Sequence, residues 1–136
     1  MVNSGLSWQQ RFITFNKVFT QLSRFMAVDK LNEMEKQGLI KGFEYTYELG
    51  WKTLQELLKE NGYVNVVGPR PVIEQCIKDG YLPNGKGWIR MHDSRMLATE
   101  SHDEVAADEI IDNIRGEYFG LLKSLNDRLE KERVGR

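Results

Sequence analysis

Trp8, Phe12, Phe15, Phe19, Leu22 and Met26 follow one another at alternating steps of four and three residues. Such steps keep side chains on one stripe of a helix with about 3.6 residues per turn, so this run buries itself only as a helix. The same rhythm returns in Leu39, Phe43, Tyr47, Trp51, Leu54 and Leu58, and again in Ala107, Ile111, Ile114, Tyr118, Leu121, Leu125 and Leu129. No segment reads as a strand. The chain is therefore expected to be all-α.

Local chemistry sets the boundaries. A first helix is predicted from about Ser7 to Val28, with Ser7 as cap and Gln10 completing a capping box. A second spans about Glu33 to Asn61 and stops at Asn61-Gly62. Gly38, Gly42 and Gly50 lie inside it, each at a cost of ~1 kcal/mol relative to alanine. They point to close approach by another helix, within one subunit or between two. Pro69 and Pro71 interrupt the pattern, and Pro71 suits the first turn of a short third helix ending at Gly80. Pro83-Asn84-Gly85 has turn chemistry, and a helical piece follows from Trp88 to about Thr99. The last helix is predicted to start near Ser101, with Ser101 and Glu104 at capping-box spacing and Asp103 favoured by the dipole. It runs to about Arg128, with 129–136 as a frayed tail. The expected fold is an up-and-down four-helix bundle with a short extra helix between helices 2 and 4, in a single domain over 1–136.

Composition narrows the function. With 136 residues and a net charge of −1, the chain can bury a core but carries no global positive field to hold nucleic acid. Any such contact needs a local patch. The single cysteine, Cys76, sits in an apolar run and reads as core. No apolar run approaches the ~18 residues of a membrane span, and the N-terminus lacks a secretory pattern. A cytoplasmic location is expected, with no cofactor.

The chemistry concentrates in "SRMLATESHDE", residues 94–104. If Ser101 caps the last helix, His102 lies in its first turn, where the positive end of the dipole keeps the imidazole neutral and able to accept a proton. Arg95 lies about a turn and a half upstream. A neutral imidazole beside a fixed guanidinium suits phosphodiester cleavage, the one moving protons and the other holding developing charge. The competing expectation is that His102 only closes the helix end while Arg95 pairs with Asp93, Glu100 or Glu104. His92-Asp93 and His102-Asp103 do not have helical ligand spacing, so no metal site is expected. The aromatic stripes fit core or interface better than base stacking. Glu44, Glu48 and Lys52, beside Tyr45, form a candidate groove rim.

The order of "GLIKGFEYTYELGWKTLQELLKENG", "PRPVIEQCIKDG", a tryptophan and "SRMLATESHDE" resembles the nucleotidyltransferase substrate-binding proteins, a branch of the HEPN superfamily. The resemblance covers about Leu22 to Leu129. It implies a helical bundle, a homodimer, and a separately encoded minimal nucleotidyltransferase as partner in a toxin–antitoxin-like system. It also implies a nucleotide or RNA as ligand. Active HEPN toxins carry an arginine, four to six residues, then a histidine. In the branch resembled here, the form is arginine, a polar residue, three more residues, histidine, one residue, tyrosine. Aligning Arg95 and Asp103-Glu104 places Met96 at the polar position, Glu100 at the histidine and His102 at the tyrosine. Alternatively, Arg95 and His102 form the wider spacing, with six residues between them.

The first alignment needs no gap and is preferred. It puts a carboxylate where an imidazole is expected, which repels phosphate and serves poorly as an acid at neutral pH. Arg95, His102 and Glu100 are accordingly the candidate catalytic residues, and Arg95, Ser101, His102 and Lys52 the candidate substrate-binding ones. The leading expectation is a non-catalytic binding subunit. Its rivals are a metal-independent RNase using Arg95 and His102, and a ligand-free helical dimer.

Overall fold

The computed structural model describes residues 7–100 and 104–135, those at 96–100 and 104 by backbone alone. Every regular element among the described residues is helical: α1 (Trp8–Met26), α2 (Glu33–Glu60), α3 (Pro69–Lys78), α4 (Gly85–Glu100), α5 (Glu104–Asn113), a π-helical turn (Ile114–Tyr118) and α6 (Phe119–Val134). The last three run without a break.

The predicted cap of α1 forms, whereas the one expected at Ser101 lies outside the described residues. Ser7 Oγ accepts from the Gln10 amide at 3.2 Å, and Gln10 Oε1 accepts from the Ser7 amide at 3.0 Å. Asn32 and Glu35 make a second capping box at the start of α2. Gly62, at φ 105°, takes the left-handed conformation that stops α2 just beyond its end. α3 begins at Pro69, whose missing N–H costs nothing at the first helical position, and Pro71 falls in the first turn as expected. One start differs from expectation. α4 begins a turn before Trp88, because Asn84 accepts from the Gly87 amide through its side chain and from the Trp88 amide through its carbonyl.

α1 and α2 pack antiparallel. The Trp8 amide, opening α1, donates to Glu60 Oε2 at the end of α2, while Gly38 near the start of α2 faces Phe25 near the end of α1. Of the three glycines expected to mark close approach, two do so. A Cβ at Gly38 would stand 3.0 Å from Phe25 Cζ, and one at Gly50 would stand 3.2 Å from Phe15 Cε1 and 3.3 Å from Leu125 Cδ2. Gly42 has only an ordinary contact at 3.6 Å from Leu22. The neighbours met at all three lie within the chain.

The last helix runs alongside α2, with Phe43 stacked on Tyr118 and Lys36 paired with Asp108 at 3.0 Å. It also packs against α1 through Phe19 on Phe119, with ring centroids 5.2 Å apart, and through Asn16–Asn126. Arg115, in the π-turn, donates to the carbonyls of Val28 at 2.8 Å and Met26 at 3.4 Å. It thus places a cation on the negative end of α1. The predicted stripe of the last helix is buried from Ile111 to Leu129, joined by Ile110 and Leu122. The fraying expected over 129–136 is corrected: the helix continues to Val134, since Leu129, the last residue of the predicted stripe, is buried and ties down the turn beyond Arg128.

Candidate functional site

α2 and α4 meet through two polar rungs. Tyr47 and Glu48 are neighbours on α2, whereas His92 and Arg95 lie three residues apart on α4 and so share a face. The Tyr47 hydroxyl is 2.6 Å from His92 Nδ1. Arg95 Nη2 donates to Glu48 Oε1, and Lys52 Nζ sits 3.8 Å from Glu48 Oε2, one helical turn along α2. Two cations therefore share one carboxylate. Behind them, Arg70 on α3 lies 3.7 Å from Asp93 and 3.3 Å from Glu74. Trp88 and Met91, four residues before His92 and Arg95 respectively on α4, are buried.

Burial dominates the titration of the first rung. It pushes the Tyr47 phenol well above its usual range, with Arg95 opposing and Glu48 and Asp93 adding to the rise, so the hydroxyl keeps its proton. Burial also lowers the His92 imidazole. Asp93 works against that lowering and Arg70 and Arg95 reinforce it, while Glu48 opposes it. A histidine depressed in the folded state binds fewer protons than in the unfolded chain between the folded value and the ordinary 6.5. Stability is therefore expected to fall as pH drops through about 6.5 towards the lowered folded value, and to be flat in this component above 7. Urea midpoints at pH 7.5 and 5.5 measure it. The pH-dependent loss should shrink in His92→Gln.

Arg95 and Lys52, singled out from sequence, are brought together on Glu48. The structure pairs Arg95 with Glu48, 47 residues away in the chain, while the side chains of Glu100 and Glu104, two of the partners expected from sequence, lie outside the described residues. Ser101 and His102 lie outside the described residues, and Glu100 is described by backbone only. Tyr45 is not on the rim with Glu48 and Lys52. It lines a separate groove of 430 Å³ between α1 and α2, with Phe25, Gly38 and Lys41. Sequence reasoning misses the Tyr47–His92 pair. The available signal is the adjacency of Tyr47 to Glu48 and the helical spacing of His92 to Arg95. No group of three or more metal-ligating side chains occurs among the described residues. Cys76 is buried, and burial pushes its thiol up to about 12, consistent with a core role.

A larger groove of 840 Å³ separates α3 from α4, with Arg70, Lys78, Lys86 and Arg90 around Ile77 and Ile89. Much of its positive charge is already met, since Arg90 makes a two-point contact with Glu117 at 3.0 and 2.5 Å and Arg70 is held by Glu74 and Asp93. The half-buried cluster on α2 and α4 is the stronger candidate. No helix among the described residues is long and apolar enough to cross a membrane.

Helices alone among the described residues, with a charged cluster between two of them, define an all-helical protein. The chain belongs to the family described as nucleotidyltransferase substrate binding protein like, whose model matches residues 10–131. No curated protein matches it. It is similar to the crystal structure of ttk003001694 from Thermus thermophilus, at 26% identity and a TM-score of 0.76, over 85% of this chain and 98% of that one.

Proposed function

We propose that this chain is the substrate- or nucleotide-binding subunit of a two-component, toxin–antitoxin-like system whose other component is a separately encoded minimal nucleotidyltransferase. In this reading it is one HEPN-type domain over 1–136, an up-and-down four-helix bundle with α3 as the extra helix, acting as a homodimer in the cytoplasm. Family membership over residues 10–131 carries the proposal. The α2–α4 cluster supports it by bringing Arg95, Lys52 and His92 together with Glu48 and Tyr47 between two neighbouring helices.

The Glu48 contact favours binding over cleavage. A guanidinium that neutralises developing charge on a scissile phosphate must be able to face it. Arg95 instead meets a carboxylate that competes with phosphate for its donors. The RNase reading with Arg95 and His102, or with Glu100 in the histidine position, is therefore the rival, and the ligand-free dimer the second.

Two measurements separate these. Co-expression with the product of an adjacent nucleotidyltransferase gene should give a complex that survives purification, and failure to associate would sink the proposal. Metal-free incubation with RNA should give equal background in the wild type, Arg95→Ala and His102→Ala. Cleavage lost in both variants would establish the RNase instead.

A further inference from the structure

The 430 Å³ groove between α1 and α2 joins an apolar floor to a rim of unpaired cations. Leu22 and Phe25 on α1 and Gly38 and Gly42 on α2 line it, with Lys41 and Tyr45 along its α2 side. Lys17 and Arg24 are exposed on α1, four residues before and three after the lining residue Gln21, so they flank it on the helix surface. None of Lys17, Arg24 and Lys41 makes an ion pair among the described residues, although Glu44 lies three residues beyond Lys41. The other nearby carboxylates on α2 are already met, Glu33 by Lys36 and Glu48 by Arg95 and Lys52. In the loop beyond α1, Asp29 stands beside Lys30. Three cations against Glu44 leave this face positive.

Gly42 differs from the other two glycines inside α2. A Cβ at Gly38 or Gly50 would crowd Phe25 at 3.0 Å or Phe15 at 3.2 Å, whereas one at Gly42 would meet only Leu22, at an ordinary 3.6 Å. Glycine weakens a helix interior relative to alanine, and packing within the chain does not require it here. Gly42 instead leaves space in the groove that it lines. The apolar strip extends along α2 from Met34, 85% exposed, through Gly38 and Gly42 to Tyr45, 54% exposed. At about 1.5 Å per residue it is about 16 Å long, the length of about three turns of a facing helix.

We infer that this groove takes an acidic amphipathic helix of the partner protein, with an apolar side chain seated over Gly42 and carboxylates on Lys17, Arg24 and Lys41. An apolar slot along two helices suits a helix that inserts side chains at successive turns. Lys17 and Arg24 are about 10 Å apart along α1, with Lys41 across the groove. That spread matches carboxylates spaced along a helix, whereas a mononucleotide concentrates its charge at one phosphate. The inference deepens the proposed function and rests on its pairing with a nucleotidyltransferase.

The full chain, as wild type and as Gly42→Ala, Gly42→Leu and Lys41→Glu, is co-expressed with the product of the adjacent nucleotidyltransferase gene. Gly42→Ala should have a urea midpoint at or above that of the wild type and yet bind the nucleotidyltransferase several-fold more weakly. A glycine with a merely structural role would not separate the two. Gly42→Leu should abolish the complex. Lys41→Glu should weaken it roughly tenfold at low salt, the loss shrinking as ionic strength rises. If Gly42→Leu does not fold, the other two variants decide. A complex that tolerates all the folded variants overturns the inference and leaves the proposed function standing.

If the wild type forms no complex, the proposed function falls and a titration decides the inference. The Gly38 and Gly42 amides of the 15N-labelled chain should shift with a helical peptide bearing leucine on one face and glutamate on the other. They should stay still with the same peptide carrying lysine for glutamate. Silence with the acidic peptide overturns the inference. So do shifts driven by protein concentration alone, which assign the groove to a second copy, or by AMP or a short single-stranded RNA, which assign it to a nucleotide.

Discussion

Trp88→Ala is expected to lower stability by about 3–5 kcal/mol, the range for deleting a large buried aromatic. Trp88 is 1% exposed and, with Leu82 and Met91, forms the apolar anchor at the start of α4. The next residues after Met91 are polar: His92, Asp93, Ser94 and Arg95. Removing the indole leaves a cavity next to the helix that presents both rungs of the site. Against a total of about 5–15 kcal/mol for a domain, the loss is large enough to populate the unfolded state at physiological temperature. With a urea slope of roughly 1–3 kcal/mol per molar, the midpoint should fall by about 2 M. Trp88→Phe, which keeps most of the buried ring, should lose well under half as much. Equal losses in the two variants, or a midpoint for Trp88→Ala within experimental error of the wild type, would show that α4 is anchored elsewhere.

The helices were legible in the sequence because their signals are local. Ser7 with Gln10 and Asn61 with Gly62 act within one turn of chain, and the steps of the aromatic stripe report the period directly. The start of α4 was not legible. Pro83-Asn84-Gly85 has the residues of a turn, yet Asn84 serves there as a helix cap that bonds the Gly87 and Trp88 amides. The same residue types suit a turn and a helix start, so the pattern alone does not separate them. The π-turn at 114–118 was hidden for another reason. One extra residue per turn changes the phase of the stripe, yet Leu121 and Leu122 are both apolar and either phase finds a buried side chain.

The site divides along the same line. Arg95 and Lys52 stand out as charged residues flanked by helical pattern, so their types and positions were readable. The carboxylate joining them was visible only as a member of the α2 charge pattern, since its pairing with Arg95 spans 47 residues. His92 escapes a sequence reading because its partner, Tyr47, belongs to the apolar stripe of α2, and a tyrosine in a stripe reads as core. It is core, and its hydroxyl still bonds the His92 ring on α4.

Glu48→Ala should separate stability from binding. Each side chain of the Glu48–Arg95 pair is 25% exposed, so removing the carboxylate leaves a largely desolvated guanidinium facing Lys52 with no negative charge between them. One-sided removal from a buried pair costs about 3–5 kcal/mol, and the residual exposure reduces that to about 1–3 kcal/mol. A double-mutant cycle with Arg95→Ala should return a coupling of at least about 1 kcal/mol, since the two groups are in contact. Binding should move the other way. Loss of Glu48 removes a negative charge from beside Arg95 and Lys52, so AMP should bind several-fold more tightly at low salt, the gain fading as ionic strength screens it. Glu48→Gln, which preserves shape and removes only the charge, should show the same opposition with a smaller stability loss. A variant that loses stability and AMP affinity together would instead make Glu48 the group that orients Arg95 towards its ligand. If neither quantity changes, the cluster is an ordinary surface ion pair, and the binding site must be sought elsewhere on the molecule.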